Sequence, residues 1–558
     1  MDIGTGPPLL LGSLVAGILA SSAAQSRFPK FDAYAQAYRA GRILYLETGG
    51  GRQGGAILDT LGSDGRLARA LGELVASDTP DAARRLLALS SMSFHEDPEA
   101  EREEFAARQP WAVREKAAEA LAKLRSPATL EFLARDVLLA RSAYAIPARS
   151  AAARALGESR FPHLVPPLRA AMRDPDEAVR AAAASGLGAI GTPEAVRTLL
   201  GRVRDEDPVV RARLLEALAR AIALEGRDAP AEALGKEAAA VVVGCLSDPD
   251  WRVRAAAADY FVRRPSEKAV EPLIAALAAE RERTKSGEGR KRIVFALTRA
   301  LTRLAGQAVS LDDPKRWQDW WAVHRDTFRV APAVTATAGP RSGEPTYFGI
   351  PVRTDRVVFV LDVSGSMAEP VDSEAPTTSP AAARRPRPSR GGPPAPPPIA
   401  GPTKLQRAKE ELLSILGRLG PEDRFNVVLF SGGVERVFDT VVPPTPENVA
   451  TATERVRGAG ASGGTNLFGA LEAALRIRGV AVDRFYTDAD TVFLLSDGAP
   501  TVGAVVDPDT LAEAISSANL GSRIALHGIY FGPQGSPAAE FMQRLSAGNY
   551  GEFRRVAP

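Results

Sequence analysis

The stretch "FVLDVSGSM", Phe359 to Met367, is an apolar run that stops abruptly in an aspartate, two serines and a glycine. Residues that avoid water belong inside a sheet, so the oxygen-bearing Asp362, Ser364 and Ser366 at the end of the run need a reason. A hard metal ion gives one, because magnesium takes six oxygen ligands in near-octahedral geometry. Two more places offer the same kind of atom. "SGGTNLFGAL" carries Thr465 in a loop ahead of a helix, and "FLLSDGAPT" carries Asp497 at the end of another apolar run.

The elements around these residues alternate in type from about Tyr347 onward. Short apolar runs ("RVVFVLDVS", "RFNVVLFSG", "DTVFLLSDG", "IALHGIYFG") are separated by helical segments such as "KLQRAKEELLSILGRL", "LFGALEAALRI" and "LAEAISSA". Continuously apolar strands alternating with helices predict a mostly parallel sheet covered on both faces, an α/β doubly wound fold. Ligands of such sheets bind at the carboxyl ends of strands, which is where "DVSGS" and "SDG" fall.

This constellation resembles the von Willebrand factor A family and its metal-ion-dependent adhesion site. All five positions of that family's motif are matched: Asp362, Ser364, Ser366, Thr465 and Asp497. The resemblance covers residues 347–558 and implies a Rossmann-like domain holding Mg2+, with Mn2+ or Ca2+ as alternatives. It also implies the ligand roles. Three hydroxyls and two carboxylates, the latter often acting through water, leave the ion electrophilic, and an Asp or Glu carboxylate of a partner protein completes its shell. A departure from compact relatives is a Pro- and Arg-rich insertion at about 369–402. It reads as extended or disordered chain, and Arg384, Arg385, Arg387 and Arg390 would attract an acidic partner.

Residues 30–305 read differently, as helix after helix. An arginine recurs in "WAVREKAAEALAKL", "IPARSAAARALGES", "DPDEAVRAAAASGLGAIG", "DEDPVVRARLLEALARA" and "DPDWRVRAAAADYFVRR". The repeated residues are Arg114, Arg149, Arg180, Arg211 and Arg254, 31 to 43 residues apart. That period signals an α-solenoid of helix pairs. Asp-Pro should cap and open a helix in each unit. The small residues should let helices approach closely, and the arginines should bridge to carbonyls or aspartates of the neighbouring repeat. The pattern resembles HEAT repeats, in particular those of phycobilisome-lyase-like proteins, and implies a curved protein-binding scaffold without lyase chemistry. "DPKRWQDWWAVHRDTF" places Trp317, Trp320, Trp321, His324 and Phe328 on one helical face, expected to cap the end of the stack. It belongs to a capping and linker region at 306–346. "TGGGRQGG", Thr48 to Gly55, lacks the Gly-Lys-Ser/Thr ending of a phosphate loop and reads as a turn.

Composition bounds the function. The 558 residues are 45% hydrophobic and 25% charged, and the net charge is only +3. That balance argues against nucleic acid as the main partner. The single cysteine, Cys245, reads as a buried core residue, and the four histidines show no paired metal-ligand spacing. Residues 1–29 contain the apolar run "LLLGSLVAGILASSAAQS", which reads as a signal peptide or short membrane anchor. Export or anchoring in the cell envelope is therefore favoured slightly over a cytoplasmic place, although Arg27 and Lys30 follow the run.

The expected function is a non-enzymatic protein-interaction scaffold, similar to bacterial proteins that join HEAT repeats to a von Willebrand A domain. An alternative is a cofactor subunit of a separate AAA-type ATPase in complex remodelling or metal insertion, since the chain has no Walker motif. A lyase-like enzyme is a third reading, for which the sequence offers no acid–base pair or nucleophile–histidine set.

Overall fold

The computed structural model describes residues 27–33, 66–90, 110–224, 229–310, 312–331, 344–371, 401–477, 485–503 and 505–556. The N-terminal apolar run, the glycine-rich Thr48–Gly55 stretch and the four arginines of the insertion lie outside them. The chain divides into two compact units. The first comprises Met1–Ala338, Ile477–Tyr486 and Glu513–Arg523, and the second Gly339–Arg476, Thr487–Ala512 and Ile524–Pro558. No described helix is long and apolar enough to cross a membrane.

The first unit is a stack of helices. Ile146–Glu158, Glu177–Ile190, Pro208–Leu224, Trp251–Arg263 and Lys291–Ala305 form a row in which each packs on the next. Every repeat arginine in this row lies in the first turn or so of its helix and pairs with an acid further along the chain, and three of the four bond their own entry loop as well. Arg180 donates to Asp205 Oδ1 and Oδ2, both at 3.0 Å, and to the Asp174 and Pro175 carbonyls of its own loop at 2.9 and 3.0 Å. Arg211 repeats this with Asp248 at 2.9 Å and the Asp205 carbonyl at 2.8 Å. Arg149 pairs with Asp174, and Arg254 with Glu280. Arg254 also donates to the Asp248 and Pro249 carbonyls at 2.8 and 2.9 Å, so Arg180, Arg211 and Arg254 each fasten their own entry loop to an acid further along, while Arg149 makes only the tie to the acid.

The capping differs in detail from the expectation. In "DPDEAVR" and "DPDWRVR" it is the second aspartate, Asp176 or Asp250, that caps the helix, accepting from Ala178 N and Arg252 N. The aspartate ahead of proline is taken by the previous repeat's arginine. Only in "DEDPVVR" does the Asp-Pro aspartate cap, with Asp207 accepting from Val209 N at 2.8 Å.

The small residues permit close approach. A Cβ on Gly157 would lie 2.2 Å from Gly186 Cα, and one on Gly186 would lie 2.8 Å from the Ala153 carbonyl oxygen. Backbone cannot yield there as a side chain would. Gly157→Ala is therefore expected to destabilise the protein by about 1–3 kcal/mol, read as a lower urea midpoint at unchanged slope.

Helix Pro314–His324 packs on Val270–Lys285. Trp317 is wholly buried in the core of the stack and donates its indole N–H to the Ser310 carbonyl at 3.0 Å. Trp320 lies edge-on to Trp317 and stacks on His324 at 4.7 Å between ring centroids. Phe328 is buried as well, while Trp320, Trp321 and His324 are half-buried, so this face closes onto the stack. Cys245 is half-buried rather than buried, and burial pushes its thiol up to about 11, away from reactivity.

The second unit carries the alternating pattern as a six-stranded sheet. Its strands are β3 (Arg356–Asp362), β4 (Arg424–Phe430), β5 (Val434–Arg436), β6 (Thr491–Ser496), β7 (Ala525–Tyr530) and β8 (Phe553–Arg555). A small hairpin, β1 (Thr346–Tyr347) with β2 (Ile350–Pro351), precedes them. The sheet order is β5-β4-β3-β6-β7-β8, all parallel except β5. Strands β3, β4 and β6 are buried along nearly their whole length, as a sheet covered on both faces requires. From β3 the chain first builds outward through β4 and then returns to lay β6 on the other side of β3. The strand order reverses there, and in open α/β sheets ligands bind outside the carboxyl ends of the strands at such a point.

Candidate metal centre

Asp362 is the last residue of β3 and is completely buried. Its Oδ1 accepts from the Ser364 backbone N–H at 2.8 Å, and its Oδ2 from the Ser496 hydroxyl at 2.6 Å. Ser496 is the last residue of β6, so the two strand ends are joined through this carboxylate. A tight turn, Gly365–Ala368, brings Ser366 Oγ within 3.3 Å of Ser364 Oγ. Ser366 in turn donates to Asp497 Oδ1 at 2.8 Å. Asp362, Ser364, Ser366 and Asp497 therefore form one connected set.

Thr465 comes from a loop docked on the first. Gly365 N donates to the Gly463 carbonyl at 3.0 Å, and Ser462 N to the Val363 carbonyl at 2.9 Å. The loop is held from the far side by Thr501, whose hydroxyl accepts from Thr465 N at 2.8 Å. Asn466, next in sequence, caps helix Leu467–Leu475. The Thr465 hydroxyl makes no hydrogen bond to the protein among the described residues.

Sequence reasoning missed four residues of this site. Ser496 stood in the quoted "SDG" run but had no assigned role, and Thr501 lay in a loop without pattern. Lys404 and Glu369 flank the insertion and meet across it. Lys404 Nζ lies 2.8 Å from Asp497 Oδ2 and 2.7 Å from Glu369 Oε2. The neck of the insertion is closed by a Pro370–Thr403 antiparallel bridge, by Val371 N donating to the Pro402 carbonyl and by Lys404 N donating to the Glu369 carbonyl. A capping box between Thr403 and Gln406 starts helix Lys404–Leu416 at this point.

The electrostatics favour a cation. Burial pushes the Asp362 carboxyl up to about 6, against the pull of its hydrogen bonds from Ser496 and Ser364. No ion pair reaches Asp362 among the described residues. Burial alone would depress the Lys404 ammonium, but its hydrogen bonds to Asp497 and Glu369 outweigh that and hold it above its ordinary value. A buried carboxylate without a counter-charge, beside three hydroxyls and a second carboxylate, fits a hard divalent ion. Among the described residues no three His, Cys, Asp or Glu side chains gather into a metal-holding group, here or elsewhere, so the candidate set rests on hydroxyls with two carboxylates. A cleft of about 540 Å³ opens beside the site, floored by Val363, Leu429 and Phe430 and rimmed by Glu435, Glu454 and Arg455.

Comparison with known proteins agrees with this topology. The HEAT-repeat family profile matches residues 136–219, and the von Willebrand factor type A domain profile matches residues 357–499. Residues 357–499 form a von Willebrand factor type A domain. Among curated relatives, inter-alpha-trypsin inhibitor heavy chain H3 of Bos taurus is 28% identical over 216 residues, covering 37% of this chain and 20% of the relative. Heavy chain H4 of Homo sapiens is 29% identical over 211 residues, covering 37% and 19%. This chain thus spans about a fifth of the length of those relatives. Similar solved structures include a von Willebrand factor type A protein from Catenulispora acidiphila, 21% identical, covering 36% of this chain and 38% of that one at a TM-score of 0.25. Another is the CpcE and CpcF complex of phycocyanin lyase from Nostoc sp. PCC7120, 19% identical, covering 44% and 94% at a TM-score of 0.20. With such low TM-scores the fold of the von Willebrand A domain rests on its strand order and family profile.

Proposed function

We propose that the protein is a non-enzymatic interaction scaffold whose von Willebrand A domain binds a partner's Asp or Glu carboxylate at a divalent-metal site. Asp362, Ser364, Ser366, Thr465 and Asp497 would hold the ion, with Mg2+ as the default and Mn2+ or Ca2+ as substitutes. A bound ion would supply one open coordination position to an incoming carboxylate. The observation that carries the reading is the fully buried, unpaired Asp362 beside that hydroxyl set. Ser364 and Ser366 bond to each other, and Ser366 donates to Asp497, with no histidine among their partners, which supports ligand use over nucleophilic use. Asp362 and Ser496 tie the two strand ends, and Gly365 and Ser462 lock the Thr465 loop, so the donors are held in advance of any partner. The HEAT repeats offer a second protein-binding surface.

The test is capture of partners from the native host's extract on the intact protein in Mg2+, in EDTA, and with Asp362→Ala. A partner held only by the wild type in Mg2+, and released by free acetate, supports the reading. A partner retained under all three conditions overturns it and moves the function to the HEAT repeats or the tryptophan helix.

A further inference from the structure

The five motif residues leave one buried charge of the site unexplained. Lys404 is only 8% exposed, and an ammonium is expensive to bury unless it is paired. Its position is dictated by the backbone: the Thr403–Gln406 capping box starts the helix, and Lys404 N donates to the Glu369 carbonyl at 2.9 Å. Nζ then reaches Asp497 Oδ2 at 2.8 Å, while the other oxygen of that carboxylate takes the Ser366 hydroxyl. Asp497 is almost wholly buried, with a side-chain exposure of 1%, whereas Glu369 is 58% exposed. The ammonium therefore has one buried acid that belongs to the metal set and one exposed acid that does not.

We propose that Lys404 is a fixed counter-charge of the site, which weakens its hold on a divalent ion and strengthens its demand for an anionic partner, and that Glu369 sets how much of that charge Asp497 feels. The inference rests on the metal reading above. Without the lysine, two carboxylates neutralise a dication. With it, the ion, the two buried carboxylates and the ammonium sum to one positive charge, which the half-exposed Glu369 offsets only through solvent screening, and a partner's carboxylate answers what is left. Like charges a few ångströms apart in a partly buried site repel strongly, so the effect on ion affinity is large. Glu369 draws Lys404 outward and screens it, which predicts the opposite sign for its removal.

The experiment uses the full chain, Mn2+ alone as probe, and then acetate on the Mn2+-loaded protein. Mn2+ binding is followed by the paramagnetic resonance of the free ion, and acetate binding by water-proton relaxation, which falls as coordinated water is displaced. Lys404→Met is expected to bind Mn2+ about tenfold more tightly and acetate several-fold more weakly. Glu369→Gln is expected to bind Mn2+ about threefold more weakly and acetate more tightly. A merely structural salt bridge would move both variants in the same direction. If both do so, or if neither changes Mn2+ affinity, while Asp362→Ala has lost Mn2+, the inference is overturned and the metal site stands. If the wild type itself binds no Mn2+, the metal reading falls and the inference with it. Should Lys404→Met melt below the assay temperature, the exposed Glu369→Gln decides: weaker Mn2+ binding supports the inference, and unchanged or tighter binding overturns it.

Discussion

Asp362→Ala should lose the thermal stabilisation by divalent ions completely, yet leave the metal-free protein no less stable at pH 7. In the metal-free protein this carboxylate is buried with two hydrogen bonds and no ion pair. Its carboxyl is raised from 3.8 to about 6, so the folded state binds that proton more tightly than the unfolded chain does. Its contribution is fully present below about pH 4 and is lost as pH rises through about 6, a difference of about 3 kcal/mol. Above that pH the wild type carries an uncompensated charge and the variant does not. Removing the acid orphans the Ser496 hydroxyl only in part, because the Gly498 carbonyl also accepts from it at 3.3 Å. With an ion at a hundred times its dissociation constant, the wild type should gain about 2.7 kcal/mol and the variant nothing. Proton and metal compete for the same carboxylate, so ion affinity should fall by up to tenfold per pH unit below about 6. Calorimetric melts of both proteins with and without Mn2+ between pH 4 and 8 would check all of this. A variant that still gains from Mn2+ would rule out Asp362 as a ligand.

Arg180→Met should be the most damaging single change among the repeats. Arg180 and Asp205 are 5% and 3% exposed at their side chains, and the arginine also bonds two loop carbonyls. Its loss leaves Asp205 buried without its cation, which destabilises by about 3–5 kcal/mol. Because most of that penalty comes from the stranded charge, Asp205→Asn in the same background should recover more than half of it. The exposed pair Arg169–Glu194, at 52% and 53%, is the control: Arg169→Ala should change stability by less than about 1 kcal/mol. Urea unfolding of the wild type, Arg180→Met, Asp205→Asn and the double variant closes a double-mutant cycle that measures each term, with Arg169→Ala beside it.

What the sequence showed and what it hid divide along physical lines. The recurring arginine was legible because every repeat needs the same tie to the next, so the tie appears at a period. Which aspartate caps was not, because Asp174 and Asp176 are alike in sequence and differ only in which guanidinium reaches them. Strands β3, β4 and β6 announced themselves as apolar runs because both faces are covered. Strand β5 did not, since Val434–Arg436 is an exposed edge with no apolar alternation. The five candidate ligands could be singled out because each stands at or within a few residues of a strand end or a helix start, where the apolar pattern breaks, and because their order resembles a known motif. Lys404 was not, because its partner Asp497 is 93 residues away and the first residue of an amphipathic helix looks like any other solvated lysine.

The closed neck at Pro370 and Thr403 relieves the insertion of any structural duty. The two chain ends that bound residues 372–400 are clamped together by the domain itself, so what runs between them need not hold them. Doubling the length of such a connection costs only about 0.6 kcal/mol in closure entropy. Insertions, deletions and wholesale replacement of that stretch are thus expected to be nearly neutral for the stability of the domain. The length and composition of the chain between these two points are thereby uncoupled from the stability of the sheet and of the loops that carry Asp362, Ser366 and Thr465.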